Sequence, residues 1–405
     1  MKDVEVLIVG GGAAGTTAAE TYRAGGGAGE VLIVSDEPHP LYSRVLLPHA
    51  AKGKIDPERA FLKKSEWYAE KQVGLSAGRT VLRVDYRDKI VTLDGGEEIR
   101  YGKLVIAAGA RPRRWNAEGA DAAEVLHLQT YEDALALRQA LVPGRRMAIV
   151  GSGFIAIEFA AACVEKGLKA VVLNRGPHFW TSMLGEGIGR EVEAALVAKG
   201  VEVRGSAKVV RVEKTSGHTR VRLSDDDGLL CDLIGVGIGV EVPMDPFGDL
   251  RGEHGLKADA FLKAKHQDVW VAGDCAEYED EVTGLRHAVG NWTNAVAQGR
   301  HVGKALLGET AKFLTLTSYS TAVFPGVNLI FMGGVKKAPG VESFERALGP
   351  ARRLEFRVKD GRVVGAILLN APDLRAACTA LITSKIPVGG REHLLADPAF
   401  ALDAF

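Results

Sequence analysis

One pattern occurs twice in this chain of 405 residues, and it restricts the possible folds more than any other feature. An apolar run leads into a glycine-rich turn, and the turn opens a helical stretch. The first copy is Val4-Glu5-Val6-Leu7-Ile8-Val9 followed by Gly10-Gly11-Gly12-Ala13-Ala14-Gly15. The second is Met147-Ala148-Ile149-Val150 followed by Gly151-Ser152-Gly153-Phe154-Ile155-Ala156. Each continues into another apolar run, Val31-Leu32-Ile33-Val34 and Val171-Val172-Leu173-Asn174. Strand, turn, helix and parallel strand make a βαβ unit, so the duplication predicts an α/β chain with two Rossmann-like three-layer domains. Gly25-Gly26-Gly27 and Gly167 stop the two helices.

The chemistry of such turns is specific. Gly10 makes the tight turn, Gly12 lets the backbone approach a pyrophosphate, and Gly15 lets the helix pack close to its strand. The helix start at Ala13 and Ala14 then offers free N–H groups and the positive end of its dipole to phosphate. Asp36 or Glu37, at the end of the next strand, supplies a carboxylate for ribose hydroxyls. In the second copy Gly151 and Gly153 take the first two roles, Phe154 and Ile155 open the helix, and Ala156 replaces the third glycine, as the fingerprint permits. Its strand ends in Asn174 and Arg175 instead of an acid. A carboxylate there would bind the NADH ribose and repel a 2′-phosphate, whereas a guanidinium pairs with phosphate. Both NADH and NADPH remain open at this point. Two dinucleotide cradles in one chain imply electron transfer between their occupants.

Composition narrows the alternatives. Lysine plus arginine equals aspartate plus glutamate, 51 of each, so no basic field gathers nucleic acid. Apolar runs are strand-sized, which predicts no membrane span. The chain runs from Met1 straight into the first strand, without a signal-peptide pattern. The four cysteines, Cys163, Cys231, Cys275 and Cys378, lie far apart and form no Cys-x-x-Cys pair. That argues against a disulfide framework or a metal site and for a cytoplasmic address.

Beyond the duplicated units, Glu37 to Lys103 reads as polar and loop-like up to the apolar run Leu104-Val105-Ile106-Ala107-Ala108. A further buried strand is predicted over Asp268-Val269-Trp270-Val271-Ala272-Gly273-Asp274, and a helix from Asn291, its N-cap, to Leu307. From Lys312 the character changes to short β-rich segments (Leu354 to Val358, Val363 to Leu369) with a late helix over Asp373 to Ser384. This predicts a separate α+β domain.

With these motifs in place the chain resembles the FAD-dependent pyridine-nucleotide reductases of the glutathione-reductase fold over nearly its whole length. Leu104 to Pro112, containing Ala108, Gly109 and Arg111, is similar to the family's crossing into the nucleotide domain. Ile238-Gly239-Val240-Glu241-Val242-Pro243 resembles the return crossing, and Val271-Ala272-Gly273-Asp274 the second flavin fingerprint. The resemblance implies that Asp274 holds the ribityl chain, that the helix after Asn291 points at the flavin pyrimidine edge, and that Trp292 borders the ring. It also implies domain boundaries: a flavin domain over 1–112 and 244–311, an NAD(P)H domain over 113–243 and an interface domain over 312–405. The last is similar to nitrite-reductase-type flavoproteins at Ser320 to Asn328 and Asp360 to Ala366, and such domains mediate homodimer contacts in many relatives.

Disulfide reductases of this fold carry a cysteine pair near the flavin, and Leu41 to Leu47 contains none. Within the branch lacking it, Leu41-Tyr42-Ser43-Arg44 resembles the rubredoxin and ferredoxin reductases. There a basic residue pairs with a glutamate on the helix of the second loop, which points to Arg44 and Glu158 as the catalytic pair, with an ordinary salt bridge as the alternative; arginine keeps its charge and cannot shuttle a proton. The implied function is hydride transfer from NAD(P)H to FAD, with electrons leaving directly to a small carrier such as rubredoxin or ferredoxin. Two alternatives keep the fold: an NADH oxidase or diaphorase with a small-molecule acceptor, and a non-catalytic redox-sensing flavoprotein.

Overall fold

The computed structural model describes residues 1–225 and 227–405; the side chains of Ala122 and of Val323, within the Ser320 to Asn328 stretch, lie outside the described set. These residues form two compact units. One comprises Met1–Val45, Glu58–Arg111 and Glu241–Thr317, the other Leu46–Pro57, Pro112–Val240 and Ser318–Phe405.

The first unit is built on a sheet in which Val31–Ser35 lies between Val73–Ala77 and Lys2–Val9, and Lys2–Val9 lies against Glu98–Ile106, all parallel. Val269–Val271 extends the sheet in parallel along the end of Glu98–Ile106. Every residue of Val31–Ser35 is buried, as expected of a strand covered on both faces. Helices Ala13–Ala24 and Trp292–Leu306 cross at glycines: a Cβ built at Gly299 would lie 2.3 Å from the Ala14 carbonyl oxygen. Their closeness therefore depends on a missing side chain.

The loop-like reading of residues 37–103 is corrected here. The segment holds a helix, Ser65–Glu70, the parallel strand Val73–Ala77, and an antiparallel pair, Val81–Asp85 with Ile90–Leu93, that continues to Glu98–Ile106. A register shift between Val81 and Arg83 breaks the two-residue alternation. The Ser65–Glu70 helix is too short to show a 3.6-residue period.

The second unit repeats the first architecture with a parallel sheet ordered Glu202–Arg204, Lys169–Leu173, Arg146–Val150, Leu233–Val236 and Val125–Leu126. Ser318–Phe405 adds a five-stranded antiparallel sheet and the helix Arg375–Thr383, the predicted α+β portion. Its Asp360-Gly361 turn has positive φ at both residues, 50° and 67°, as a tight hairpin requires. The fully buried Arg357 fastens this sheet to the rest of the unit. It pairs with Glu355 and donates to the carbonyls of Met183 (2.6 Å) and Val335 (3.0 Å). No helix among the described residues is long and apolar enough to cross a membrane.

Candidate nucleotide-binding sites

In the first unit the glycine loop follows from backbone geometry. Gly10 has φ +110°, and a Cβ there would lie 2.1 Å from the Ala107 carbonyl oxygen. Its N–H donates to the Val34 carbonyl (2.7 Å), which sets the turn beside the neighbouring strand end. A Cβ on Gly15 would lie 2.0 Å from the Gly10 oxygen, so this position also tolerates no side chain. Gly12 differs: a Cβ there would meet nothing within 4 Å, which leaves an open approach to the helix start. That helix has no side-chain cap and no acid in its first turn, although Thr130 and Asn291 cap other helices. The uncapped N–H groups of Ala13 and its successors fit a bound anion.

Several predicted residues gather around this loop. Gly273 (φ +81°) approaches the helix so closely that a Cβ would sit 3.0 Å from the Ala14 Cβ. Asp274 follows it, and no described group donates a hydrogen bond to its carboxylate. Burial pushes its pKa up to about 6, with the Arg44 charge pulling the other way. A desolvated carboxylate without donors fits a ligand that brings hydroxyls. The Oδ1 of Asn291 caps its helix by accepting from the Asn294 N–H (2.8 Å), and its Nδ2 is buried without an acceptor. Trp292 packs half-buried against the core.

The two acids at the strand end divide their work. Glu37 is taken by the Tyr42 hydroxyl and the Arg44 guanidinium, whereas Asp36 is exposed and makes no hydrogen bond or ion pair with a described residue. The Glu37 carboxylate raises the Arg44 pKa against the opposing effect of burial. Ala108 packs half-buried on the core, Gly109 turns with φ +63°, and Arg111 stands at the surface, 3.2 Å from Glu241.

The second unit reproduces the loop. Gly151 has φ +117°, a Cβ on it would lie 2.2 Å from the Gly237 oxygen, and its N–H donates to Leu173 (3.1 Å). Gly153 starts the helix without a side-chain cap, and again no acid occupies the first turn. Ala156 is fully buried, and the facing segment lies close to this helix start: a Cβ on Gly237 would lie 3.0 Å from the Ile155 Cβ and 3.2 Å from the Ala156 nitrogen. Gly239 turns with φ +97°. Phe154 joins an aromatic cluster with Trp180 (4.6 Å), Phe331 (5.2 Å) and Tyr319 (5.6 Å). Ile155 packs half-buried beside Gly237.

Two results depart from the sequence reading. Asn174, expected among the coenzyme contacts, is 1 % exposed and turned inward. Its Nδ2 donates to the carbonyls of Gly176 (3.1 Å) and His178 (2.6 Å), and its Oδ1 accepts from the Gly176 N–H. Its amide therefore shapes the turn and leaves no polar atom for a ligand. Arg175 beside it is exposed and makes no hydrogen bond or ion pair with a described residue.

Glu158 also acquires a partner that the sequence did not announce. Lys52 Nζ lies 3.8 Å from its Oε2, and both side chains are largely withdrawn from water, at 2 % and 13 % exposure. Burial pushes the Glu158 pKa up to about 7, with Lys52 opposing, and its Oε2 accepts no hydrogen bond from a described residue. Lys52 follows a five-residue helix, Leu47–Ala51, and no linear motif marks it. The four cysteines are buried free thiols, and Cys275 donates weakly to the Ile106 and Ala272 carbonyls. Burial drives three of them, Cys163, Cys275 and Cys378, up to about 12 and Cys231 to about 11, which disfavours the reactive thiolate.

Known proteins share this organisation. The chain is 31% identical to a probable ferredoxin reductase of Castellaniella defragrans, with 98% of each chain covered. It is 30% identical to a rubredoxin-NAD(+) reductase of Pseudomonas putida, over 75% of this chain and 80% of that one. It is 28% identical to the ferredoxin–NAD(+) reductase subunit of a Pseudomonas putida benzene 1,2-dioxygenase system, over 94% and 93%. Among solved structures the fold matches putidaredoxin reductase in its covalent complex with putidaredoxin, at a TM-score of 0.88 and 23% identity, covering 100% of this chain and 98% of that one. It also matches a ferredoxin reductase from Rhodopseudomonas palustris at 0.86 and 24%, covering 99% of both. A family model for pyridine nucleotide-disulphide oxidoreductases spans residues 4–299, through both glycine loops and the Gly273-Asp274 turn. FAD and a nicotinamide dinucleotide are therefore its cofactors, and the chain belongs to the pyridine nucleotide-disulphide oxidoreductase family.

Proposed function

We propose that this protein is an NAD(P)H-dependent flavoprotein reductase that passes electrons, without a redox disulfide, to a small carrier of the ferredoxin or rubredoxin type. One observation carries the reading: two uncapped glycine cradles of matching geometry stand in a chain whose four thiols are buried and held protonated. The ferredoxin and rubredoxin reductases to which the chain is similar support the choice of acceptor. FAD supplies the chemistry, since it accepts a hydride from a reduced nicotinamide and releases the electrons singly.

The residues of this chain bind, orient and hold protons. The loop Gly10 to Gly15 and the helix start at Ala13 cradle the FAD pyrophosphate, with Asp36 on the adenosine ribose. Asp274 accepts from ribityl hydroxyls, whose arrival restores the solvation that burial removed. The helix opened by Asn291 turns its positive end toward negative charge on the cofactor, worth roughly 1 kcal/mol. Gly151, Gly153 and the start of the Phe154–Lys166 helix cradle the nicotinamide dinucleotide. Arg44, locked by Glu37, is a fixed positive charge beside Asp274. Glu158, with a pKa near 7 and Lys52 beside it, holds an exchangeable proton near neutral pH. Residues 1–112 with 244–311 form the flavin domain, 113–243 the coenzyme domain and 312–405 the interface domain. Reduced thiols suit the cytoplasm, where we place the protein.

The test is an anaerobic titration of the yellow holoprotein with NADH and NADPH, followed by mixing with ferredoxin, rubredoxin or air-saturated buffer. Bleaching by a nicotinamide and faster reoxidation by a carrier than by oxygen is the expected result. A flavin that no nicotinamide bleaches would overturn the reading.

A further inference from the structure

We infer that the second cradle selects NADPH over NADH, and that Arg175 reads the adenosine 2′-phosphate. This rests on the reading that the loop at Gly151 holds a nicotinamide dinucleotide, and it departs from the NAD(+) named for the relatives.

The chain contains its own reference for this position. In the first cradle Val9 pairs with Val34, and the Gly10 N–H donates to the Val34 carbonyl. In the second, Val150 pairs with Leu173, and the Gly151 N–H donates to Leu173. Val34 and Leu173 are thus equivalent, which makes Ser35 equivalent to Asn174 and Asp36 to Arg175. Where the first cradle ends its strand in an exposed carboxylate, the second ends it in an exposed guanidinium. A carboxylate accepts from the two ribose hydroxyls and repels a 2′-phosphate, while a guanidinium gains a charge-assisted, two-pronged bond from that phosphate.

Neighbouring groups leave Arg175 to this task. Asn174 cannot stand in for the missing acid, because its amide is spent on the Gly176 and His178 carbonyls. The turn that presents Arg175 is braced from the next strand: the Ser206 N–H donates to Gly176 (2.8 Å) and the Ala207 N–H to Asn174 (2.9 Å). The acids associated with that strand, Glu202 and Asp227, are both engaged by Arg204, at 2.7 Å and 3.0 Å. Arg175 itself makes no hydrogen bond or ion pair with a described residue that a phosphate would have to displace.

Calorimetry of the holoprotein with two probes, adenosine 2′,5′-bisphosphate and 5′-AMP, isolates the extra phosphate from catalysis. The bisphosphate is expected to bind about 10- to 100-fold more tightly, the range of a charge-assisted pair. Arg175→Ala should remove most of that preference while leaving 5′-AMP affinity within about twofold, and should lower kcat/KM for NADPH far more than for NADH. Equal or tighter binding of 5′-AMP, or an equal loss of both probes in the variant, would overturn the assignment alone. Failure of both probes to bind, with neither NADH nor NADPH bleaching the flavin, would overturn the cradle reading and this inference together.

Discussion

The two glycine cradles reach the same backbone shape by different means. In both, a glycine with φ near +110° presses against a carbonyl of the neighbouring strand end, and a second glycine opens an uncapped helix. The third position separates them. Gly15 must lack a side chain because its own Cβ would strike the Gly10 oxygen. At the equivalent position Ala156 keeps its methyl group, fully buried. Electrostatics diverge further, with Asp36 at the first strand end and Arg175 at its counterpart. Each loop leaves its helix start uncapped, while the exposed side chain just beyond the strand is an acid in one unit and a base in the other.

The strongest way to separate the cradles is to block each in turn. Gly10→Ala forces alanine to φ +110° against Ala107, and FAD binding should fall about 100-fold or more, giving a colourless protein. Gly151→Ala introduces the same overlap with Gly237, yet the protein should stay yellow and lose only its bleaching by NADPH. Absorbance after desalting and an anaerobic titration read the two outcomes. Loss of colour in the second variant would contradict the independence of the sites.

Next in size is Asp274. Its carboxylate should contribute about 10- to 100-fold to FAD affinity, the range of hydrogen bonds to a charged group, so Asp274→Ala should leak flavin on dilution. Because burial raises its pKa to about 6, the ionised acceptor is lost as pH falls through that value. Flavin release, followed by fluorescence, should rise below pH 6 in the native protein and show no such inflection in Asp274→Asn.

Glu158 gives a smaller, pH-dependent effect on the other side of the comparison. Its folded pKa of about 7 lies above the unfolded 4.5, so the folded state binds more protons between these values. Its contribution to stability is therefore fully present below about pH 4.5 and is lost as pH rises toward 7. Glu158→Gln should flatten this slope in denaturant titrations and remove an inflection near pH 7 in the rate of flavin reduction. Lys52→Met should move that inflection upward, since Lys52 opposes the shift.

The smallest effect is expected at Ala156. Changing it to glycine restores the full fingerprint, but the loop already takes its shape with the methyl group in place. It should cost only about 0.5–1 kcal/mol of helix stability and leave coenzyme affinity unchanged. A marked gain in affinity would show that the two cradles are less alike than their backbones.

Much of this was legible in residue order because it depends on neighbours along the chain. The two loops, the stops at Gly25 and Gly167, the Asn291 cap and the Asp360-Gly361 turn each follow from residues within a few positions of one another. Residues 37–103 were not legible, because a six-residue helix and a strand pair with a shifted register carry no clean period. Lys52 was missed for another reason: it meets Glu158 across 106 positions, and nothing local marks it.

Sequence alone determined that this chain carries two nucleotide cradles, that its cysteines are not arranged as a redox pair, and which family it joins. These properties reside in backbone conformations that only glycine allows, and in residue types at fixed spacing. Tertiary structure decided how the side chains at those sites are used. It turned Asn174 inward, left Asp36 and Arg175 exposed at equivalent positions, bound Glu37 to Arg44, and set a buried lysine beside Glu158. Hydrogen-bond partners and desolvation arise from packing between distant segments, and no pattern along the chain encodes them.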